Sequence, residues 1–69
     1  MENEHDALIK QYLLKHFDAV DIVLAVDQVK ISCYLGEAEL RFPFYAIQYY
    51  KANPYDVVNA IWEYINTYL

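Results

Sequence analysis

The spacing of apolar residues near the start of the chain predicts a helix. In "NEHDALIKQYLLKHF" the residues that recur with a 3.6-residue period, and so share one face, are Leu8, Ile9, Tyr12, Leu13, His16 and Phe17. Asn3 is suited to the N-cap position, and Asp6 follows three residues later with a charge that favours the positive end of a helix. We therefore expect a helix over residues 4–17.

The next segment, "AVDIVLAVDQVKISCYLGEAELRFPF", alternates with a period of two and is rich in β-branched residues, which predicts strands. In the turn "LGEA", Gly36 occupies the first central position of a type II′ hairpin, which requires a positive φ. This turn predicts the pairs Cys33 with Leu40, Ile31 with Phe42 and Val29 with Phe44. Pro43 cannot donate a ladder hydrogen bond, so we expect the third strand to be an edge strand or to end there.

A second turn is expected at Asp27 and Gln28, although its residues are a weaker turn signal. This turn predicts the pairs Val26 with Val29, Leu24 with Ile31 and Ile22 with Cys33. Both registers place the same apolar positions on one side of a single antiparallel meander. That face comprises Val20, Ile22, Leu24, Val26, Val29, Ile31, Cys33, Leu35, Ala38, Leu40, Phe42 and Phe44.

The C-terminal segment "NPYDVVNAIWEYINTYL" predicts a second main helix, with Asn53 as its N-cap and Pro54 at its first helical position. Its apolar residues cover nearly half of the helix circumference, whereas packing on a sheet needs an arc of only about 100°. The additional arc is expected to contact the first helix, another subunit or both. Residues 44–52 fit either a short helix begun by Pro43 or a continued strand, and the helix is slightly favoured.

These elements predict one compact α+β domain over residues 1–69. Its order is an N-terminal helix, a three-stranded antiparallel meander, a possible short helix and a C-terminal helix. Both main helices are expected on one face of the sheet, in an α-β-β-β-α arrangement. Many unrelated functions occur on such a fold, so the fold alone does not select one.

The charge balance narrows the classes of partner. Ten acidic residues against five basic ones give a net charge of −5, which disfavours direct binding to nucleic acid or to an acidic membrane surface. Cys33 is the single cysteine, so no intrachain disulfide can form and a reducing compartment is expected. The polar, acidic N-terminus does not fit a secretory signal, and no apolar run is long enough to span a membrane. We expect a cytoplasmic protein.

Candidate catalytic groups do not form a recognisable constellation. His5 and His16 are separated by about 16 Å along the predicted helix, too far apart to ligate one metal. Cys33 is assigned to the inner sheet face, where a thiol packs as a small apolar group. The chain has one glycine, so a phosphate-binding loop is not expected. No catalytic, cofactor or metal residue is predicted, and the chain is not expected to be an enzyme.

The aromatic residues are the most informative chemical feature. Phe42, Phe44, Trp62 and Tyr68 are assigned to the core. Tyrosines beyond what so small a core needs are Tyr34, Tyr45, Tyr49, Tyr50, Tyr55 and Tyr64. Because tyrosine is enriched at protein interfaces, we predict a partner-binding surface made of these six residues with the acids Asp21, Asp27, Glu37 and Glu39. The alternative is that all the rings fill the core of a monomer or homodimer.

Two functional hypotheses follow. The first is a small acidic protein-binding module, expected to be dimeric, that modulates or inhibits a larger protein. Its narrower form is a phage or mobile-element inhibitor that mimics DNA phosphates in the basic groove of a nucleic-acid-binding protein. The second is a structural homo-oligomer, or a small subunit of an assembly, that associates through the additional arc of the C-terminal helix.

Overall fold

A computed structural model describes residues 3–68 and confirms the predicted α-β-β-β-α order. Its elements are α1 (Glu4–Leu13), β1 (Ala19–Ala25), β2 (Gln28–Leu35), β3 (Ala38–Tyr45), α2 (Ala46–Lys51) and α3 (Pro54–Tyr68). The strands form an antiparallel sheet in the order β1-β2-β3. Helix α1 packs against β1 and α3, and the short α2 packs against β2 and β3.

The two main helices begin where their capping residues predict. The Asn3 side chain accepts a hydrogen bond from the backbone N–H of Asp6 at 2.8 Å, and Asn53 accepts one from the N–H of Tyr55 at 2.9 Å. Helix α1 ends at Leu13 rather than near residue 17. The chain turns there, and Phe17 returns to the core through an N–H bond to the Leu13 carbonyl at 3.1 Å.

The β2–β3 hairpin has the predicted register, with Cys33 opposite Leu40 and Gly36 at a φ of +60°. A Cβ atom on Gly36 would meet no atom within 4 Å, so the backbone conformation, and not space, is what favours glycine. The Gly36 N–H also donates to the Asp18 carboxylate at 2.8 Å, which ties this turn to the segment before β1.

The predicted β1–β2 register is wrong by two residues. Ile22 lies opposite Ile31 rather than Cys33, and the turn is formed by Val26 and Asp27. A shift of two preserves which face each side chain occupies, so the predicted inner face is unaffected. The error arises because Val26 continues the alternating apolar pattern, yet it adopts a φ of +55° and is 99% exposed. Such a conformation is unusual for a β-branched residue.

The core lies between the inner sheet face and the three helices. The sheet contributes Val20, Val29, Ile31, Cys33 and Phe42, and the helices contribute Ile9, Leu13, Tyr49, Val57 and Ile61. Four residues predicted on the inner face are instead exposed, because they lie at strand ends or in a turn. They are Leu24, Val26, Leu35 and Ala38.

The segment that follows Pro43 combines both structures considered for it. Strand β3 continues through Pro43 to Tyr45, and α2 begins at Ala46, so the prediction that Pro43 starts the helix is wrong. Pro43 lies opposite Lys30 on an edge strand, as its missing donor predicts. In the register set by the Gly36 turn, the backbone nitrogen at position 43 faces away from β2, so no ladder hydrogen bond is lost there.

We expect Val26→Gly to raise the free energy of unfolding by about 0.5 to 1 kcal/mol. Glycine removes the strain of a left-handed, β-branched residue, and part of this gain is offset by its greater freedom in the unfolded chain. Urea denaturation followed by circular dichroism measures the change. Gly36→Val places the same side chain at the equivalent position of the other turn and should lower stability. A Val26→Gly variant less stable than the parent would contradict the strain assigned to this turn.

Candidate partner-binding site

The predicted site residues do not form one continuous surface. On the outer sheet face, Tyr34 lies between Ala19 and Glu39 in neighbouring strands. A hydrogen bond to the Glu39 carboxylate raises the pKa of the Tyr34 hydroxyl. Asp21 lies on the same face of β1 and is exposed, and Glu37 lies at the β2–β3 turn. Of the six predicted tyrosines, Tyr34 lies beside these acids, whereas Tyr45 occupies the same face at the far end of β3, opposite Gln28.

Charges on the outer sheet face are mixed. The Arg41 Nη2 atom lies 3.1 Å from Glu39 Oε1, and this hydrogen bond, followed by that from Tyr34, lowers the pKa of the Glu39 carboxyl. Lys30 is exposed on the middle strand of the same face. Two cations are therefore interspersed with Asp21 and Glu39, and the face does not present an uninterrupted row of carboxylates.

Tyr49 belongs to the core rather than to a surface. It is 1% exposed, and its hydroxyl donates to Asp6 Oδ1 at 2.6 Å. Burial and this hydrogen bond both raise the pKa of Tyr49 well above its ordinary value. Tyr50 is 38% exposed, and its oxygen lies 3.5 Å from the other Asp6 oxygen. The buried ring leaves no surface for a partner, and its contact with Asp6 joins α2 to the start of α1.

His5 extends this α1–α2 contact, which the sequence did not predict. Its Nε2 atom lies 2.8 Å from the Ala52 carbonyl oxygen, which can only accept, so Nε2 carries a proton. The ring packs edge-on against Tyr49 at a centroid distance of 4.7 Å. Its Nδ1 atom lies 3.8 Å from Asp6 Oδ1. No sequence signal could have indicated this bond, because its acceptor is a backbone carbonyl 47 residues away.

The tyrosines of α3 point to different neighbours. Tyr55 meets Tyr12 of α1 at a centroid distance of 5.2 Å, whereas Tyr64 packs edge-on over Phe42 at 5.6 Å. Tyr68 was assigned to the core, but it is 69% exposed and packs beside Tyr64 at the end of the helix. Tyr64 and Tyr68 therefore form an exposed aromatic pair next to strand β3.

An apolar groove lies between the edge strand β3 and helix α3. It encloses about 340 Å³ and is lined by Phe42, Pro43, Phe44, Ala60, Ile61 and Tyr64, which we call the β3–α3 groove. The groove exists because α3 packs chiefly on α1, and its Trp62 stacks at 5.7 Å on Phe17 of the segment between α1 and β1. That position leaves Phe44 only partly covered. A smaller hollow next to α2 shares Phe44 and Ala60 with the groove and extends it.

A second apolar hollow lies at the end of β3 near the β1–β2 turn. It encloses about 550 Å³ and is lined by Val26, Asp27, Tyr45, Ala46, Ile47 and Gln48. Three of these side chains are strongly exposed: Val26 at 99%, Ile47 at 72% and Tyr45 at 63%. A smaller hollow at this end of the sheet is lined by Gln28, Pro43, Phe44 and Tyr45. Of the predicted residues, Tyr45 and Asp27 line this second hollow, whereas Tyr64 lines the β3–α3 groove.

The other chemical groups considered are the Cys33 thiol and the possible metal ligands. Cys33 has no exposed surface, and burial raises the pKa of its thiol to about 11, which opposes nucleophilic chemistry. Across residues 3–68, no three His, Cys, Asp or Glu side chains cluster closely enough to hold a metal ion. None of the helices in that range is long and apolar enough to cross a membrane.

We expect Tyr49→Phe to lower the free energy of unfolding by about 1.5 to 3 kcal/mol, because it removes a short hydrogen bond to a carboxylate while retaining the ring. Tyr50→Phe is the matched control, since its longer contact to the same carboxylate predicts a loss below about 0.5 kcal/mol. Urea denaturation of both variants gives the comparison. Equal losses would show that the Asp6–Tyr49 bond has no special role in stability.

The buried thiol of Cys33 should react only when local or global unfolding exposes it. At pH 8 we expect a disulfide reagent to modify Cys33 more than about 100-fold more slowly in the folded protein than in concentrated urea. The raised pKa lowers the fraction of Cys33 that is thiolate, and burial keeps the reagent away from the sulfur atom. Absorbance of the released thiolate follows the reaction. Similar rates in both conditions would mean that Cys33 is exposed in solution.

Comparison with models of known protein families found no match to this chain. Comparisons with curated proteins and with solved structures found no significant match either. The function is therefore inferred from the surfaces and contacts of the chain itself.

Proposed function

We propose that this protein is a binding module whose β3–α3 groove receives the apolar side of a helix from a larger protein. The observation that carries this proposal is an open groove with no charged side chain in its lining, bordered by the exposed Tyr64 and Tyr68 rings. Apolar hollows bordered by aromatic side chains are typical of protein interaction sites. Modulation or inhibition would follow from occupying a segment that the partner needs for its own activity.

A helix fits this groove better than an added strand. Strand addition requires an unbroken row of outward backbone donors and acceptors along the edge of a sheet. Pro43 interrupts that row near the middle of the groove, because it has no N–H. A helix instead contributes only side chains, spaced three and four residues apart, and the hollows around Phe44 can take these side chains without any backbone pairing.

The charge of the protein favours a partner segment with basic flanks. The chain has a net charge of −5; Asp56 lines the hollow that extends the groove next to α2, and Asp27 lines the hollow near the β1–β2 turn. Lysine or arginine beside the apolar residues of the segment would meet these carboxylates and accelerate association at low salt. The partner class is therefore a protein with a basic, amphipathic helix. The unpaired, buried Cys33 supports the predicted cytoplasmic location of this encounter.

Phosphate mimicry, the narrower form of the inhibitor hypothesis, stays a prediction. The outer sheet face does not favour it, because Lys30 and Arg41 lie among its acids. Asp18, a further acid near this end of the sheet, is engaged by the Gly36 N–H. Asp56 and Asp27, which line the neighbouring hollows, can steer a basic segment without reproducing the spacing of a phosphate backbone, and the proposal does not require nucleic acid mimicry.

The test compares two variants of α3 that carry the same new charge. Ala60→Glu places a carboxylate in the groove, whereas Asn59→Glu places it on an exposed neighbouring position outside the groove lining. Tagged parent protein and both variants are incubated with a lysate of the native host, and retained proteins are identified by mass spectrometry. We expect a stoichiometric partner to be retained by the parent and by Asn59→Glu, and lost with Ala60→Glu.

Two results would overturn this proposal. One is a partner retained equally by Ala60→Glu, which would move the binding surface away from the groove. The other is a partner lost equally with both variants, which would indicate a general charge or folding effect. Circular dichroism of each variant before the incubation separates a folding defect from a binding defect.

A further inference from the structure

Strand β1 forms an open edge of the sheet. In the ladder set by the Val26–Asp27 turn, residues 19, 21, 23 and 25 exchange backbone hydrogen bonds with β2. The N–H and C=O groups of Val20, Ile22 and Leu24 consequently point away from β2. Within residues 3–68 no strand lies beyond β1, so nothing in this range pairs with these groups as a further strand.

The two edge strands, β1 and β3, differ in the residues that would prevent a further strand from pairing with them. Edge strands commonly carry proline, lysine or a bulge that prevents association. Strand β3 has Pro43 and two charged residues, whereas the β1 sequence "AVDIVLA" has neither proline nor lysine and one charge, on Asp21. Its Val23 and Leu24 side chains are 54% and 58% exposed. Strand β1 is therefore a regular, apolar edge suited to receive another strand.

We propose that two copies of this chain associate by antiparallel pairing of their β1 strands around a two-fold axis at Ile22. The pairing joins two three-stranded sheets into one continuous sheet and adds about six backbone hydrogen bonds. On the inner face, Ile22 meets Ile22 of the partner subunit, and Val20 meets Leu24 of the partner subunit. The exposed Leu24 side chain thereby gains an apolar neighbour.

The sequence of β1 selects this register over its neighbours. Ile22 is the central residue of the seven-residue strand, so the axis there pairs the strand along its full length. Moving the axis to Asp21 places two carboxylates directly opposite each other, which is unfavourable. Moving it to Val23 brings Val20 opposite Val26, whose positive φ has already ended the strand. The fully overlapped register avoids both conflicts.

Charge complementarity identifies a second copy as the occupant of this edge. In the proposed register Asp21 faces Val23 of the partner subunit, and the partner's Lys30 lies on the next strand of the same face. Two strand spacings separate the Cα atoms by about 10 Å, a distance that the long lysine side chain can largely span. Asp21 and Lys30 have no ion pair within 4 Å in the described part of the chain, so both are available.

This interface goes beyond the proposed function and is independent of it. The alternative functional hypothesis predicted a homo-oligomer through the C-terminal helix, whereas this proposal places the contact between copies on β1. The β3–α3 groove lies at the opposite edge of the sheet, and the dimer leaves both grooves accessible. Loss of one interaction therefore does not imply loss of the other, and the two can be measured separately.

Sedimentation velocity of the purified full chain over a range of concentrations tests this inference. We expect a dimer for the parent protein at tens of micromolar. Leu24→Pro removes an outward N–H that makes no bond to β2, and it should raise the dissociation constant at least about 100-fold. Asp21→Lys brings lysines together across the axis and should raise the constant about 10-fold. Circular dichroism establishes that each variant is folded.

A charge exchange makes the test specific to the proposed register. Lys30→Asp alone should weaken the dimer as Asp21→Lys does, and the double variant carrying both changes should recover most of the parent affinity. Recovery supports the juxtaposition of these two residues across the axis. A parent protein that stays monomeric to about 1 mM would overturn the proposal. So would a dimer unchanged by Asp21→Lys and by a folded Leu24→Pro variant.

Discussion

The structure depends on covering one face of a three-stranded sheet with very little chain. No disulfide assists the fold, and burial of apolar side chains between sheet and helices must supply most of the stability. Helices α1 and α3 pack on each other as well as on the sheet, so their contact determines where the cover ends. The packed helices leave Phe44 partly uncovered, and the apolar groove beside β3 is the direct result.

A polar contact compensates for the short α2 helix. Six residues provide too little apolar surface to fix a helix by packing alone, and α2 has a single buried residue, Tyr49. The Tyr49 hydroxyl bonds to Asp6 while its ring contacts His5, which itself bonds to the Ala52 carbonyl just after α2. One residue thus contributes both to the core and to the attachment of α2 to α1.

Most of the fold could be predicted from the sequence because the signals were local. Capping by Asn3 and Asn53, the glycine turn and the alternating strands all have short-range causes, and the structure confirms them. The β1–β2 register could not be predicted in the same way. Val26 looks like a strand residue, and only the preferred pairing of the whole ladder places it in a turn with a positive φ.

The candidate site was less predictable, because it arises between elements that are distant in the sequence. Counting tyrosines correctly indicated that several rings exceed the needs of the core, as the exposure of Tyr45 and Tyr64 shows. It could not reveal that Tyr49 is buried against a carboxylate 43 residues away. Nor could it reveal the groove, whose existence depends on the lateral position of α3.

Pro43 gives the two edges of the sheet different capacities for growth. A sheet with two receptive edges can add copies at both sides without limit, which is the route to fibres. Here one edge lacks a backbone donor near its centre, so addition at that side is obstructed. An assembly that begins at β1 has only β3 edges left outside, and growth of the sheet stops at a closed pair.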